Sequence, residues 1–259
     1  MFVTDKQWQR IAPYLAVRKR GRRGRPRRPL RPIFEAVLFI LRTGIQWRYL
    51  PAGFPPKSTV HDYLKLWAQR QVFWDLVRAL LQNWNRAGQF HREEGFIDAT
   101  FAPAKQGGEG VGLTRKGKGT KIQIIVDPQG VVLSASLASA DTGEPQMVPA
   151  TVGRLPAENT PQRLIGDKAY DSDALDESLA QVEIEMIAPH RRNRKAERRT
   201  QDGRKLKRSA RRWIVERTIA WLQNYRRVLV RHEKSLSIYQ AFIALACFMI
   251  LLKKMPLFE

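Results

Sequence analysis

Apolar positions change their period along the chain. In the first third they recur every three or four residues: Trp8, Ile11 and Leu15, then Phe34, Val37, Leu38 and Leu41, then Val60, Tyr63, Leu64 and Trp67, then again from about Val72 to Trp84. That spacing gathers each set on one helical face, so four short helices are expected. Their starts are marked. Thr4 and Gln7 have capping-box spacing before a helix from about Asp5, Pro32 opens a second over 33–43 that stops at Gly44, and Ser58 can cap a third. From Gly95 the pattern becomes β-branched or alternating, at Gly95 to Thr100, Thr120 to Asp127 and Val131 to Ala138, with a hairpin signal at Asp127-Pro-Gln-Gly130. A helix over 144–152, a strand over 163–166, a helix over 172–180 and a strand over 182–187 follow. Strands paired by a hairpin and then alternating with helices predict a mixed α/β sheet. The expected organisation is an all-α, helix-turn-helix-like unit over 1–90 and an α/β unit over 91–259, a plain helical bundle being the alternative for the first.

The last helix, 236–252, is the most apolar part, and Ser235 to Leu252 carries no charge. A membrane span is the rival reading, but the stretch is at the lower length limit and contains Ser237, Tyr239 and Gln240, and a sheet needs a covering helix. A core helix and no membrane partner are expected. The N-terminus has neither a basic nor an apolar leader region.

Charge changes the picture most. Lys and Arg number 46 against 24 Asp and Glu, a net +22, in a chain of 259 residues with otherwise ordinary content, 43% apolar and 27% charged. Such an excess points to a polyanion, and first to nucleic acid, where neutralised phosphates release counterions. The excess is clustered. Residues 18–31 hold nine Arg or Lys among Pro and Gly, an extended arm offering Arg22, Arg23, Arg25, Arg27 and Arg28 to phosphates; a solvated linker is the bland alternative. Residues 191–212 hold twelve, among them Arg191, Arg192 and Arg194. Lys57, His61, Lys65 and Arg70 lie on the helical unit, and the glycine-rich segment Gly107 to Gly119, with Arg115, Lys116 and Lys118, is expected as a mobile loop beside Asp98 that can order on DNA. No aromatic base-stacking platform is evident. The single cysteine, Cys247, excludes an intramolecular disulfide and suits a cytoplasmic location; the four histidines are scattered and form no zinc pattern.

Three carboxylates carry the candidate chemistry. Asp98 shares a strand face with Phe96 and Thr100, Asp167 ends a short apolar strand, and Glu216 sits in an amphipathic stretch beside Arg212. Hard divalent cations need oxygen ligands, and acids drawn from separate elements are a minimal protein contribution to a metal site for phosphodiester displacement. Taken singly, either Asp is equally a helix cap or loop acid, and Glu216 with Arg212 equally a surface ion pair. Gly112 to Lys118 approaches a phosphate-binding loop, but Gly119 stands where a hydroxyl is needed and a strand follows where a helix should.

The sequence resembles DDE transposases of bacterial insertion sequences, in the family numbered five within the wider group numbered four. The resemblance rests on Thr43-Gly-Ile-Gln-Trp-Arg-Tyr-Leu-Pro51, Ile97-Asp-Ala-Thr100, Thr120-Lys-Ile-Gln123, Asp167-Lys-Ala-Tyr-Asp171 and Trp213-Ile-Val-Glu-Arg-Thr218. It implies a ribonuclease H-like core and two Mg²⁺ ions, with Mn²⁺ as a substitute. It also implies cleavage of double-stranded DNA at terminal inverted repeats, strand transfer into target DNA, and a homodimer on paired ends. Asp98, Asp167 and Glu216 would be both catalytic triad and metal ligands, and Arg212 would position phosphate. Arg212 and Glu216 fit the group's signature around its glutamate, whereas Ser209 and Gln223 stand at its tyrosine and lysine positions. A DNA-binding repressor, a nuclease without strand transfer and a basic RNA-binding protein are the competing readings.

Overall fold

The computed structural model describes residues 3–16, 28–192, 194–195, 197, 199 and 203–255. Four helices come first: α1 (Asp5–Leu15), α2 (Leu30–Thr43), α3 (Lys57–Gln69) and α4 (Val72–Arg86). The capping box at Thr4 and Gln7 is formed. α2 begins two residues before Pro32, which the first helical turn tolerates because its missing N–H has no intrahelical acceptor there. The expected cap at Ser58 is not made; α3 starts at Lys57 after Pro56, leaving Ser58 inside the first turn. Residues 44–56, with a 3-10 turn over Trp47–Tyr49, make the α2–α3 connection too long for a tight turn, while α3 and α4 are joined by Arg70 and a left-handed Gln71. Phe34 centres the bundle, with ring centroids 5.9 Å from Trp8, 6.4 Å from Trp67 and 6.5 Å from Phe73.

A six-stranded sheet follows: β1 (Gly95–Pro103), β2 (Gly112–Thr114), β3 (Gly117–Val126), β4 (Val132–Ser139), β5 (Arg163–Ile165) and β6 (Glu185–Ile187). β1 is central, antiparallel to β3 and parallel to β5, with β6 parallel beyond. The other edge of β3 takes β4 and, further along, β2. The hairpin between β3 and β4 turns at Gly130 (φ 75°), with Asp127 Oδ1 accepting from the N–H groups of Gln129 and Val131. β6 is shorter than expected because the chain turns at Glu183 in a left-handed conformation.

Among the described residues the helices of this half are α5 (Glu144–Val152), α6 (Asp173–Ala180), α7 (Gly203–Leu206), α8 (Trp213–Gln223), α9 (Arg226–Leu229) and α10 (Leu236–Lys254). Gln123 of β3 bonds to the Glu144 carbonyl of α5, whereas Thr100, on the opposite face of β1, accepts from Gln223 of α8, so helices cover both faces. α10 is long and apolar enough to cross a membrane, yet most of it is buried against α3, α4, α8 and β4. It is the core helix. One apolar core accordingly runs from Val3 to Met255, and a boundary near residue 90 does not separate two cores.

Two buried arginines tie distant segments together. Arg231, fully buried, donates to the carbonyls of Glu109, Gly110, Glu233 and Lys234 and to Thr120 Oγ1. This corrects the expectation of a mobile loop over Gly107 to Gly119: the segment is stapled to residues 231–234 and then folds into the β2–β3 hairpin. Arg227 pairs with Glu233 at 2.6 Å and donates to the carbonyls of Gly44 and Ile45. Gly44 is left-handed (φ 69°), and a Cβ there would lie 2.9 Å from Arg226 Cβ, so the Thr43-Gly44 pair is fixed by the contact with α9.

Candidate active site

The register of the sheet sets two acids side by side. In the parallel pair Phe96 faces Ile165, and Asp98 and Asp167 each lie two residues further on, where β5 ends and the chain leaves the sheet. Crevices at the carboxyl ends of strands, where the strand order reverses, are where open α/β sheets gather ligands. Asp98 Oδ1 accepts its neighbour Ala99 N–H at 2.7 Å, and Asp167 Oδ1 accepts Ala169 N–H at 2.7 Å, capping a 3-10 turn over Lys168–Tyr170. Burial pushes the Asp98 carboxyl up to about 6; the Ala99 N–H and the Arg212 charge work against that rise, and Asp167 and Glu144 add to it.

Glu144 was not anticipated. It opens α5 with its side chain 25% exposed and 3.8 Å from Lys121 Nζ. Burial raises its pKa, Lys121 lowers it, and the neighbouring Asp167 raises it again. Asp98, Asp167 and Glu144, from three elements, therefore act on one another's charge in a partly desolvated setting, and carboxylate oxygens are the ligand type that a hard divalent cation takes. In sequence Glu144 reads as an ordinary first-turn acid.

Glu216 is placed differently. Its side chain is 55% exposed and paired with Arg212 Nη2 at 3.2 Å, the ion pair weighed above as the alternative. Among the described residues no three His, Cys, Asp or Glu side chains close around one metal-sized point. Gln223, two turns along the same helical face, donates to Thr100 Oγ1 at 2.8 Å, so α8 lies across β1 with Glu216 between Arg212 and Gln223. Arg212 Nε has no hydrogen-bond partner among the described residues.

Two supports hold this arrangement, and the sequence did not disclose either. Glu94, just before β1, is buried and pairs with both Arg208 and Arg211 at 2.6 Å, pinning the 3-10 segment Lys207–Arg212 that leads into α8. Asp171 accepts from Arg191 N–H at 2.7 Å, Arg194 at 2.6 Å and His190, while Arg191 donates to the carbonyls of Lys168 and Ala169. Burial would raise the Asp171 carboxyl, but these three donors outweigh it and hold it below the ordinary range.

The expected DNA-contacting cations divide accordingly. Arg28, Lys57, Lys65, Arg115, Lys118, Arg191 and Arg192 are exposed. Arg194 is only 9% exposed, bound to Asp171 and Asp173, which corrects its expected role as a phosphate contact to a structural one. Arg22, Arg23, Arg25 and Arg27 lie outside the described residues.

Residues 3–77 match a family described as a transposase of the IS4/5 family, and residues 89–252 match the transposase DDE domain. A protein of Burkholderia cepacia named as transposase for insertion sequence element IS402 is 31% identical over 140 residues, 51% of this chain; the match spans 62% of that relative's length. Among solved structures, the piggyBac transposase synaptic complex with hairpin DNA aligns with 98% of this chain and 71% of its own, at 9% identity and a TM-score of 0.53, a likeness of fold. The fold is ribonuclease H-like, preceded by a helical N-terminal part. The DDE-domain match covers well over half of the sequence, and the chain belongs to the transposase DDE-domain family.

Proposed function

We propose that this chain is a metal-dependent DNA transposase that cleaves at the terminal inverted repeats of its element and joins the freed 3′ end to target DNA. The observation that carries the reading is the placement of Asp98, within β1, beside Asp167, just past the end of the neighbouring β5, with Arg212 close enough to act on Asp98. Asp98 and Asp167 hold divalent ions, Mg²⁺ in the cell with Mn²⁺ as a substitute. When bound, two such ions activate the attacking oxygen and stabilise the leaving one. Glu216 completes the set once Arg212 turns from it to a DNA phosphate, so substrate arrival and site completion are coupled. Gln223 holds α8 against β1 through Thr100.

The helical part over 1–90 with its basic arm, the tip cations Arg115 and Lys118, and Arg191 and Arg192 bind double-stranded DNA, with a homodimer on paired ends. A cytoplasmic, nucleoid-associated place follows from that partner. The test is incubation with Mg²⁺ and DNA carrying the element's terminal repeats. Nicked ends and joined products are expected from the natural chain, and neither from Asp98→Asn or Asp167→Asn. Full cleavage by either variant overturns the reading; nicking without joining marks a nuclease, and metal-independent binding without nicking marks a repressor.

A further inference from the structure

α8 carries two lines of side chains. At 100° per residue, Arg212, Glu216 and Gln223 cluster on the face toward β1, whereas Trp213, Arg217 and Trp221 stand roughly 60–140° around the helix from Glu216. Trp213 is 52% exposed, an unusual setting for so large an apolar ring. The Arg217 guanidinium lies 4.6 Å from its centroid and 4.8 Å from that of Trp221, and Lys254 Nζ lies 4.5 Å from Trp221. Arg217 Nε has no hydrogen-bond partner among the described residues. The line leads to a cavity of about 710 Å³ between α2, α8 and α10, with an apolar floor that includes Leu38 and Ile250. Among the described residues its charged lining is Arg42, Lys253 and Lys254, without an acid.

Alternating rings and cations match the chemistry of a nucleic-acid strand whose bases are free to stack while its phosphates find positive charge. A cavity of this size takes one small ligand and does not admit a double helix. With Arg217 over one face of Trp213, the remaining exposure leaves the other face open to a base. We propose that the outer face of α8 is a track for an unpaired DNA strand: a base stacks on Trp213, and a nucleotide further along the same strand places its phosphate among Arg42, Lys253 and Lys254. The sequence suggested no stacking platform because Trp213 and Trp221 read as apolar helix residues. The inference rests on DNA as the partner and is independent of the three carboxylates.

The test uses the full chain in EDTA, so that no chemistry intervenes, with fluorescence anisotropy of labelled oligothymidine and of a duplex of equal length. Trp213→Ala is expected to weaken oligothymidine binding about tenfold while duplex binding stays within about twofold, and Trp213→Phe to retain most of the affinity. Lys253→Glu is expected to weaken oligothymidine binding as well. Trp213 is exposed, so circular dichroism should show an unchanged fold. Equal losses on both DNAs, no loss on either, or a fall in sedimenting mass in Trp213→Ala would overturn the track. If the natural chain bound neither DNA, the proposed function itself would fail; if it nicked terminal-repeat DNA while Trp213→Ala bound oligothymidine normally, only the track would.

Discussion

Asp98 concentrates the cost of assembling the crevice. Its carboxyl is raised to about 6 chiefly by burial, so the folded chain keeps that proton to higher pH than the unfolded chain does. The raised value contributes stability below the unfolded carboxylate's range near 4, and that contribution is lost as pH climbs through 6. Asp98→Asn escapes the loss. In thermal melts with EDTA it should be more stable than the natural chain at pH 7.5 by about 1–3 kcal/mol, with the gap closing by pH 4; a gap independent of pH would assign the effect to something other than ionisation. Asp98 and Asp167 were legible because each follows an apolar run that has no other use for a charge. Glu144 and Arg194 were not. Nothing local distinguishes the Glu that joins the crevice, or the Arg that Asp171 and Asp173 withdraw from the surface, until folding sets those groups beside one another.

Among the elements, the 3-10 segment Lys207–Arg212 decides where α8 presents Glu216, and Glu94 holds it with two ion pairs. Glu94→Ala should free that segment and leave the sheet intact. Cleavage of terminal-repeat DNA should fall about 10–100-fold, since a displacement near 1 Å at a reacting group costs that much, while duplex affinity changes little. The glycine-rich hairpin teaches the converse. Its glycines read as freedom, yet Arg231 fastens the start of it through five acceptors. Arg231→Met strands several of those buried acceptors and should destabilise the chain by about 3–5 kcal/mol, read as a lowered melting temperature. In sequence Arg231 is one of 46 cations. Its burial follows from carbonyls of residues 109–110 and 233–234, which only the tertiary fold brings together. Periods and turn signals located most helices and strands because burial of one face writes itself locally, whereas the short connecting helices α7 and α9 are set by contacts across the chain.

On the scale of the molecule, α10 makes the helical part and the sheet one cooperative unit, packing on α3 and α4 as well as on β4 and α8. A single calorimetric transition is expected, and residues 91–259 expressed alone should aggregate, because they would bare the α10 surface that α3 and α4 cover. The net charge of +22 acts over the same whole. Duplex affinity should drop by orders of magnitude between about 50 and 200 mM salt, with a log–log slope that reports the phosphates contacted.

The junction at Gly44 and Arg227 carries a further consequence. Because that knot of buried charge and close backbone joins the first helices to the segment after α8, the part proposed to grip an element's end has no hinge there on which to swing relative to the acids. On that reading the protein is a ruler: one base pair inserted between the recognised repeat and the cleavage point would move the scissile bond about 3.4 Å and turn it around the duplex axis, out of reach. Cleavage would be extinguished and not merely relocated.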